Sequence, residues 1–165
     1  MNEHVQALIH ALRSELEQYG ALLGLLEQQR DLVIHRAPDA LLANLAALNA
    51  QTAVVEVARR DRETRQRQLA AALQLPATTT LTELCRCLPG EVGLLLQALL
   101  DEINACLRRA QTAARQNHLL LSRSVDLLQR FIAALFPAPA APTYQANGQL
   151  AAPATPGRGL CEVTA

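Results

Sequence analysis

Between Gly90 and Pro137 the chain contains no proline, its one glycine is Gly93, and apolar residues recur at alternating steps of four and three. That seam runs Val92, Leu96, Leu99, Ile103, Cys106, Ala110, Ala113, Asn117, Leu120, Ser124, Leu127, Phe131, Ala134. A seam of this period places its residues on one stripe of an α-helix. The spacing predicts one helix over Glu91 to Phe136, roughly 70 Å long at 1.5 Å per residue. Such a rod fits no compact globule and points to an elongated antiparallel bundle or hairpin.

The rest of the sequence agrees with an all-α chain. Half of the 165 residues are apolar but only 2% are aromatic. The apolar mass is Leu and Ala, and the residues that favour strands are scarce. A first helix is expected from about Glu3 to Arg36, on the seam Val5, Ile9, Leu12, Leu16, Tyr19, Leu23, Leu26, Arg30, Val33. Gly20 and Gly24 inside it predict a bend or a close helix approach. Ala37-Pro38-Asp39 separates it from a second helix, with Asp39 placed to cap. There the seam Leu41, Leu45, Leu48, Thr52, Val55 lapses over Glu56 to Gln68, which holds five arginines and three acids, and resumes at Leu69 and Leu73. The lapse reads as a solvated face or a charged docking face. Pro76 is expected to end this helix, and Thr80 with Glu83 forms a capping box for a short third one ending at Pro89-Gly90.

Residues 137–165 are rich in Pro, Ala, Gly and Thr and offer little to bury, so a disordered tail is expected. The expected organisation is a helical bundle over 1–136 and a tail over 137–165. Tyr144 is the only aromatic in that tail and lies in a turn-forming Tyr144-Gln145-Ala146-Asn147-Gly148 stretch.

Several classes of function are excluded. Formal charge is zero and no block is strongly one-sided, which argues against a nucleic-acid footprint. The first residues carry no basic region ahead of an apolar stretch, so no signal peptide is read. The richest apolar window, Leu94 to Leu100, is cut by Gln97 and followed by Asp101-Glu102, so no stable membrane insertion is expected. A soluble, cytoplasmic chain would keep Cys85, Cys87, Cys106 and Cys161 reduced. Cys85 and Cys87 have no second close pair, and His118 lies 31 residues beyond Cys87. His4, His10 and His35 are equally isolated, so neither a metal site nor a cofactor is expected. No phosphate loop or dinucleotide turn occurs, and an enzyme is not indicated.

The C-terminal third of the long helix is apolar well beyond one stripe. Leu120, Leu121, Leu127, Leu128, Phe131, Ile132, Leu135 and Phe136, with Leu119, cover more than a seam requires. Either two neighbours in the bundle bury this stretch, or one side is kept for a partner.

These pieces, taken in order, resemble the FlgN family of bacterial flagellar export chaperones. The resemblance is carried by Leu12-x-x-Glu15-Leu16-x-x-Tyr19-x-x-Leu22-Leu23-x-Leu25-x-x-x-Gln29 and by Leu48 with the arginine cluster before Leu69-Ala70-Ala71-Ala72-Leu73. It continues through Thr80-Leu81-Thr82-Glu83-Leu84, through Asn104 to Gln116, and into Asn117-x-x-Leu120-Leu121-x-x-Ser124. The tail's Thr143-Tyr144-Gln145-Ala146-Asn147-Gly148 is similar to the family's post-helical tyrosine and glycine. The resemblance implies a cytosolic helical chaperone that binds the hook-associated proteins FlgK and FlgL by their C-terminal helices and delivers them to the export gate. It further implies cargo binding by the C-terminal helical region, here the same over-apolar stretch, and leaves monomer or homodimer open. Tyr144 becomes the candidate for docking on the cytoplasmic platform of the gate. Two other readings remain: a self-associating structural bundle, and a chaperone of a virulence secretion system.

Overall fold

The structure is a computed structural model that describes residues 2–136. It holds four helices in order: α1 Asn2–Ile34, α2 Pro38–Ala72, α3 Leu81–Cys87 and α4 Gly90–Leu135. Among the described residues there is no strand. The expected disorder of the tail, and Tyr144 with it, lie outside the described residues. The described residues divide into two units, one up to Ser122 and one from Arg123 on.

In the first unit α1 is the helix that the others share. Its buried positions Val5, Ile9, Leu12, Tyr19, Leu23 and Leu26 follow the expected seam, but Leu8, Ala11 and Glu15 beside it are buried too while Leu16 is only partly so, and Arg30 is exposed while Gln29 is buried. α2 runs antiparallel to α1, since Arg62 reaches Glu15, Gln51 reaches Gln18, and Asn44 reaches Leu25 and Gln28. α4 runs parallel to α1, with Tyr19 near Ile103 and Leu26 bonded to Asn117. The main core gathers α1, the end of α2, α3 and the start of α4, where Leu8, Leu12, Leu69, Leu84 and Leu96 lose essentially all solvent contact. Truncating one such leucine to alanine costs about 2–5 kcal/mol. A smaller cluster farther along α1 holds Leu26, Leu48 and Ala110.

The ends of the helices show how local chemistry overrides a simple reading of breakers. α1 stops with Arg36 in the left-handed region (φ 54°). There the Ala37 amide donates to Leu32 O and the Arg36 amide to Val33 O, at 3.1 and 3.3 Å. This pairing is a Schellman close, which most often carries glycine. Ala37, not Asp39, then holds the N-cap position of α2, with no side-chain cap. Pro38 opens the helix with its fixed φ, and Asp39 lies in the first turn, where a negative charge suits the helix dipole. α2 ends at Ala72, short of Pro76, because Gln74 (φ 58°) makes a second Schellman close through Leu75 N to Ala70 O at 2.9 Å. The Thr80–Glu83 capping box forms as expected: the Thr80 amide donates to Glu83 Oε2 at 2.7 Å and the Glu83 amide to Thr80 Oγ1 at 3.3 Å. The bond from the Thr80 amide to the ionised carboxylate, and after it the one that the Thr80 hydroxyl donates to the same oxygen at 2.8 Å, hold the Glu83 pKa below its ordinary value.

Neither Gly20 nor Gly24 breaks α1, and a methyl group at either would meet open space, so close approach is not their purpose. Gly93 is the glycine that packing requires, because a Cβ there would collide with the Cys85 carbonyl of α3. It lets the first turn of α4 lie directly against the short helix. We expect Gly20→Ala and Gly24→Ala each to raise stability by about 1 kcal/mol through helix propensity. Gly93→Ala should lower it by about 1–3 kcal/mol through overpacking. Urea midpoints of the three variants check both signs.

The charged lapse in α2 is not merely solvated. Arg59 and Arg65 pair with acids of their own helix on an exposed face, but Arg62 donates from Nε to Glu15 Oε2 at 2.6 Å. Glu15 is almost wholly buried on α1, and Arg62 is largely so. Burial pushes the Glu15 pKa above 4.5, and the Arg62 charge and hydrogen bond offset part of that rise. A carboxyl raised in the folded chain binds a proton where the unfolded chain has already lost it. Its contribution to stability is therefore full below about 4.5 and is lost as pH rises through the folded pKa. Denaturation of the parent and Glu15→Gln at pH 4 and pH 7 should show the parent's advantage larger, or its deficit smaller, at pH 4.

Candidate partner-binding face

The buried stripe of α4 follows the expected seam at Leu96, Leu99, Ile103 and Ala110 and reaches Asn117. Asn117 is itself buried. Its amide nitrogen donates to Leu26 O at 2.7 Å and to Gln29 Oε1 at 2.9 Å, so both hydrogens are used against α1. Leu120 and Leu121 follow, partly buried.

In the second unit, described as Arg123–Phe136, the same helix exposes every large apolar side chain it carries. Val125, Leu127, Leu128, Phe131, Ile132, Leu135 and Phe136 are each between 50% and 75% exposed. At about 100° per residue these seven fall in an arc of about half the helix circumference, which Ser124 shares with them. Arg123, Asp126, Gln129 and Arg130 occupy the other half. The arc exposes on the order of several hundred Å², at or above the largest patch of an ordinary monomer. Burial between two neighbours, the first alternative raised by the sequence, is not what these side chains show. Of the predicted residues, Leu127, Leu128, Phe131, Ile132, Leu135 and Phe136 share this exposed arc, Leu120 and Leu121 belong to the first unit, and Tyr144 lies outside the described residues.

Elsewhere the described residues offer little reactive chemistry. An open cavity of about 200 Å³ in the first unit is lined by Tyr19, Leu81, Leu100 and Ile103, but its buried polar groups, Glu15 and Arg62, are engaged with each other. Burial, then the neighbouring Glu15 charge, raises the Tyr19 pKa and keeps its hydroxyl protonated. Burial likewise pushes the Cys85 and Cys106 thiols up, away from the nucleophilic thiolate. Among the described residues no group of His, Cys, Asp and Glu could hold a metal ion. The His35 ring nitrogen Nδ1 lies 2.7 Å from Asp31 O, an ordinary helix-end contact.

Two features escaped the sequence reading. Glu15 and Gln29 are buried at seam-side positions of α1 where only apolar residues were sought; the available signal was a polar residue spaced three or four from Leu12, Tyr19 and Leu26. The other is the hydropathy of α2, which contains an 18-residue window averaging 1.3, long and apolar enough by length and composition to cross a membrane. Counting unbroken apolar runs missed it, because Leu, Ala and Val here are interleaved with Asn and Gln. Asn44 and Gln51 from that half of α2 donate to α1 at 3.0–3.1 Å, which ties it to the bundle.

Residues 1–152 match the FlgN protein family. No curated protein and no solved structure gives a significant match. The matched span covers both units of the described chain and extends past Tyr144. FlgN proteins are soluble, cytoplasmic chaperones of flagellar export that bind hook-associated proteins; the family is one of chaperones, not of enzymes. With nine-tenths of its length inside the match and its helices in the expected order, this chain belongs to the FlgN family of flagellar export chaperones.

Proposed function

We propose that this chaperone holds the hook-associated proteins FlgK and FlgL in the cytoplasm, soluble and ready for export, by covering an amphipathic helix near their C-termini. The observation that supports this reading is the exposed apolar arc of α4 from Val125 to Phe136. A cargo helix would lay its apolar side on Leu127, Leu128, Phe131, Ile132, Leu135 and Phe136, with Leu120 and Leu121 as the neighbouring contacts, as in helix-in-groove recognition. In this reading residues 1–136 are the chaperone body and 137–165 a tail. Tyr144 is the aromatic anchor for the cytoplasmic platform of the export gate, where the cargo is handed over. A homodimer formed through the same arc would compete with cargo, so the free protein can self-associate only at the expense of capture.

Tagged parent protein should co-purify FlgK and FlgL in a soluble complex, whereas Leu128→Asp/Phe131→Asp should lose them while keeping its helical circular dichroism. Retention of cargo by that variant would remove the arc from the mechanism. Separately, Tyr144→Ala should capture cargo normally but bind the isolated platform domain at least tenfold more weakly, as befits loss of an aromatic anchor. Equal binding by parent and variant would remove Tyr144 from gate docking.

A further inference from the structure

The charges of α4 are arranged differently from those of α2. In α2, Arg59, Arg62 and Arg65 each face a carboxylate within 4 Å. From Arg108 to Leu135, α4 carries five arginines and a single acid, Asp126, a local excess that departs from the even balance read along the sequence; Arg123, Arg130 and Asp126 are those of the second unit. Among the described residues none of the five forms an ion pair. These five guanidinium groups are therefore without a paired carboxylate among the described residues, as Arg60 and Arg67 of α2 also are. Solvated helix faces ordinarily mix the two signs, and a basic helix with one strongly apolar side is the pattern of a surface that meets anionic lipid.

Two details of Arg123–Phe136 suit a planar surface in addition to a helical partner. A helix docking in a groove offers anchors at i, i+3, i+4 and i+7, a stripe about 100° wide. Here the exposed arc spans about half the circumference at 100° per residue, the shape that a helix lying in a headgroup layer buries. Arg123 and Arg130 stand four before and three after Leu127, at the rim where the apolar half ends. From that rim a guanidinium can rise to phosphate while its methylene stem stays along the apolar surface.

We propose that the Arg123–Phe136 stretch of α4 is a reversible docking surface for an anionic lipid bilayer. It lies in the headgroup plane, with Leu128, Phe131 and Leu135 directed inward and Arg123 and Arg130 on lipid phosphates. This is interfacial binding and not membrane insertion. Where it meets the cargo reading, the consequence is competition: a chaperone carrying cargo on this arc leaves the bilayer.

Co-sedimentation of the full-length chain with vesicles tests the proposal without cargo present. Vesicles of equal parts phosphatidylglycerol and phosphatidylcholine should bind roughly tenfold more strongly than phosphatidylcholine alone, with the difference collapsing at high salt. Leu128→Asp/Phe131→Asp should abolish binding and Arg123→Gln/Arg130→Gln should weaken it severalfold, both with unchanged circular dichroism. Sedimentation of the parent with neither vesicle, or undiminished binding by either variant, overturns the proposal. Cargo capture by a chain that ignores vesicles leaves the chaperone reading intact. Vesicle binding by a chain that captures no cargo removes that reading and keeps this one.

Discussion

α1 can cover α4 only as far as α1 itself extends, and the bond between Asn117 and the Leu26–Gln29 turn fixes where that cover ends. The two helices run parallel from Tyr19 and Ile103 up to this bond. After Gln29, α1 has only five residues left before it stops at Ile34. Its surface for α4 is therefore exhausted about a turn and a half beyond Asn117. α4 nevertheless continues as helix to Leu135. The sequence past that limit, instead of turning polar, becomes more apolar, and among the described residues those side chains are exposed.

Register matters in a chain of this composition because leucine and alanine alone specify it weakly. A four-three pattern can slide by seven residues and meet much the same side chains. Four polar contacts along α1 remove that freedom: Arg62 to Glu15, Gln51 to Gln18, Asn44 to Leu25 and Gln28, and Asn117 to Leu26 and Gln29. Three of them share one chemistry, an amide that spends both hydrogens on a backbone carbonyl and a glutamine oxygen of α1. Such contacts are modest in net energy, about 0.5–1.5 kcal/mol each, but a slipped register would leave each buried amide unsatisfied. One such deficit already exists, since the Asn44 side-chain oxygen is buried without a hydrogen-bond partner among the described residues. Three of these contacts set the register of α2 on α1, and the Asn117 contact sets that of α4.

Much of this was legible in the sequence, and the exceptions share a cause. Helix order, the Thr80–Glu83 box, the break at Pro89-Gly90 and the over-apolar end of α4 follow from spacing and local chemistry, which one sequence displays directly. Glu15, Gln29 and Gly93 act through residues 47, 88 and 8 positions away in the chain, and no local pattern names those partners. The helix ends at Arg36 and Gln74 were misplaced by a few residues because both closures put an ordinary residue where glycine is the usual marker. The lapse in α2 reads as a solvated face or a charged docking face because mixed charge at helical spacing usually faces outward, yet one of its five arginines is the counter-ion of a buried acid on another helix.

A chaperone needs a body stable enough to persist while its binding face stays open, and here one helix serves both ends. The half of α4 that packs on α1 carries leucine, isoleucine and a satisfied amide, whereas the other half depends on whatever covers it. Residue-resolved hydrogen exchange along α4, in the free protein and with a C-terminal helical segment of FlgK or FlgL added, tests this division directly. The account predicts slow exchange from Leu96 to Asn117 in both samples, and exchange from Val125 to Leu135 that is fast in the free protein and slowed by cargo. Uniform protection of α4 in the free protein, or slowing by cargo anywhere but its C-terminal third, would contradict it.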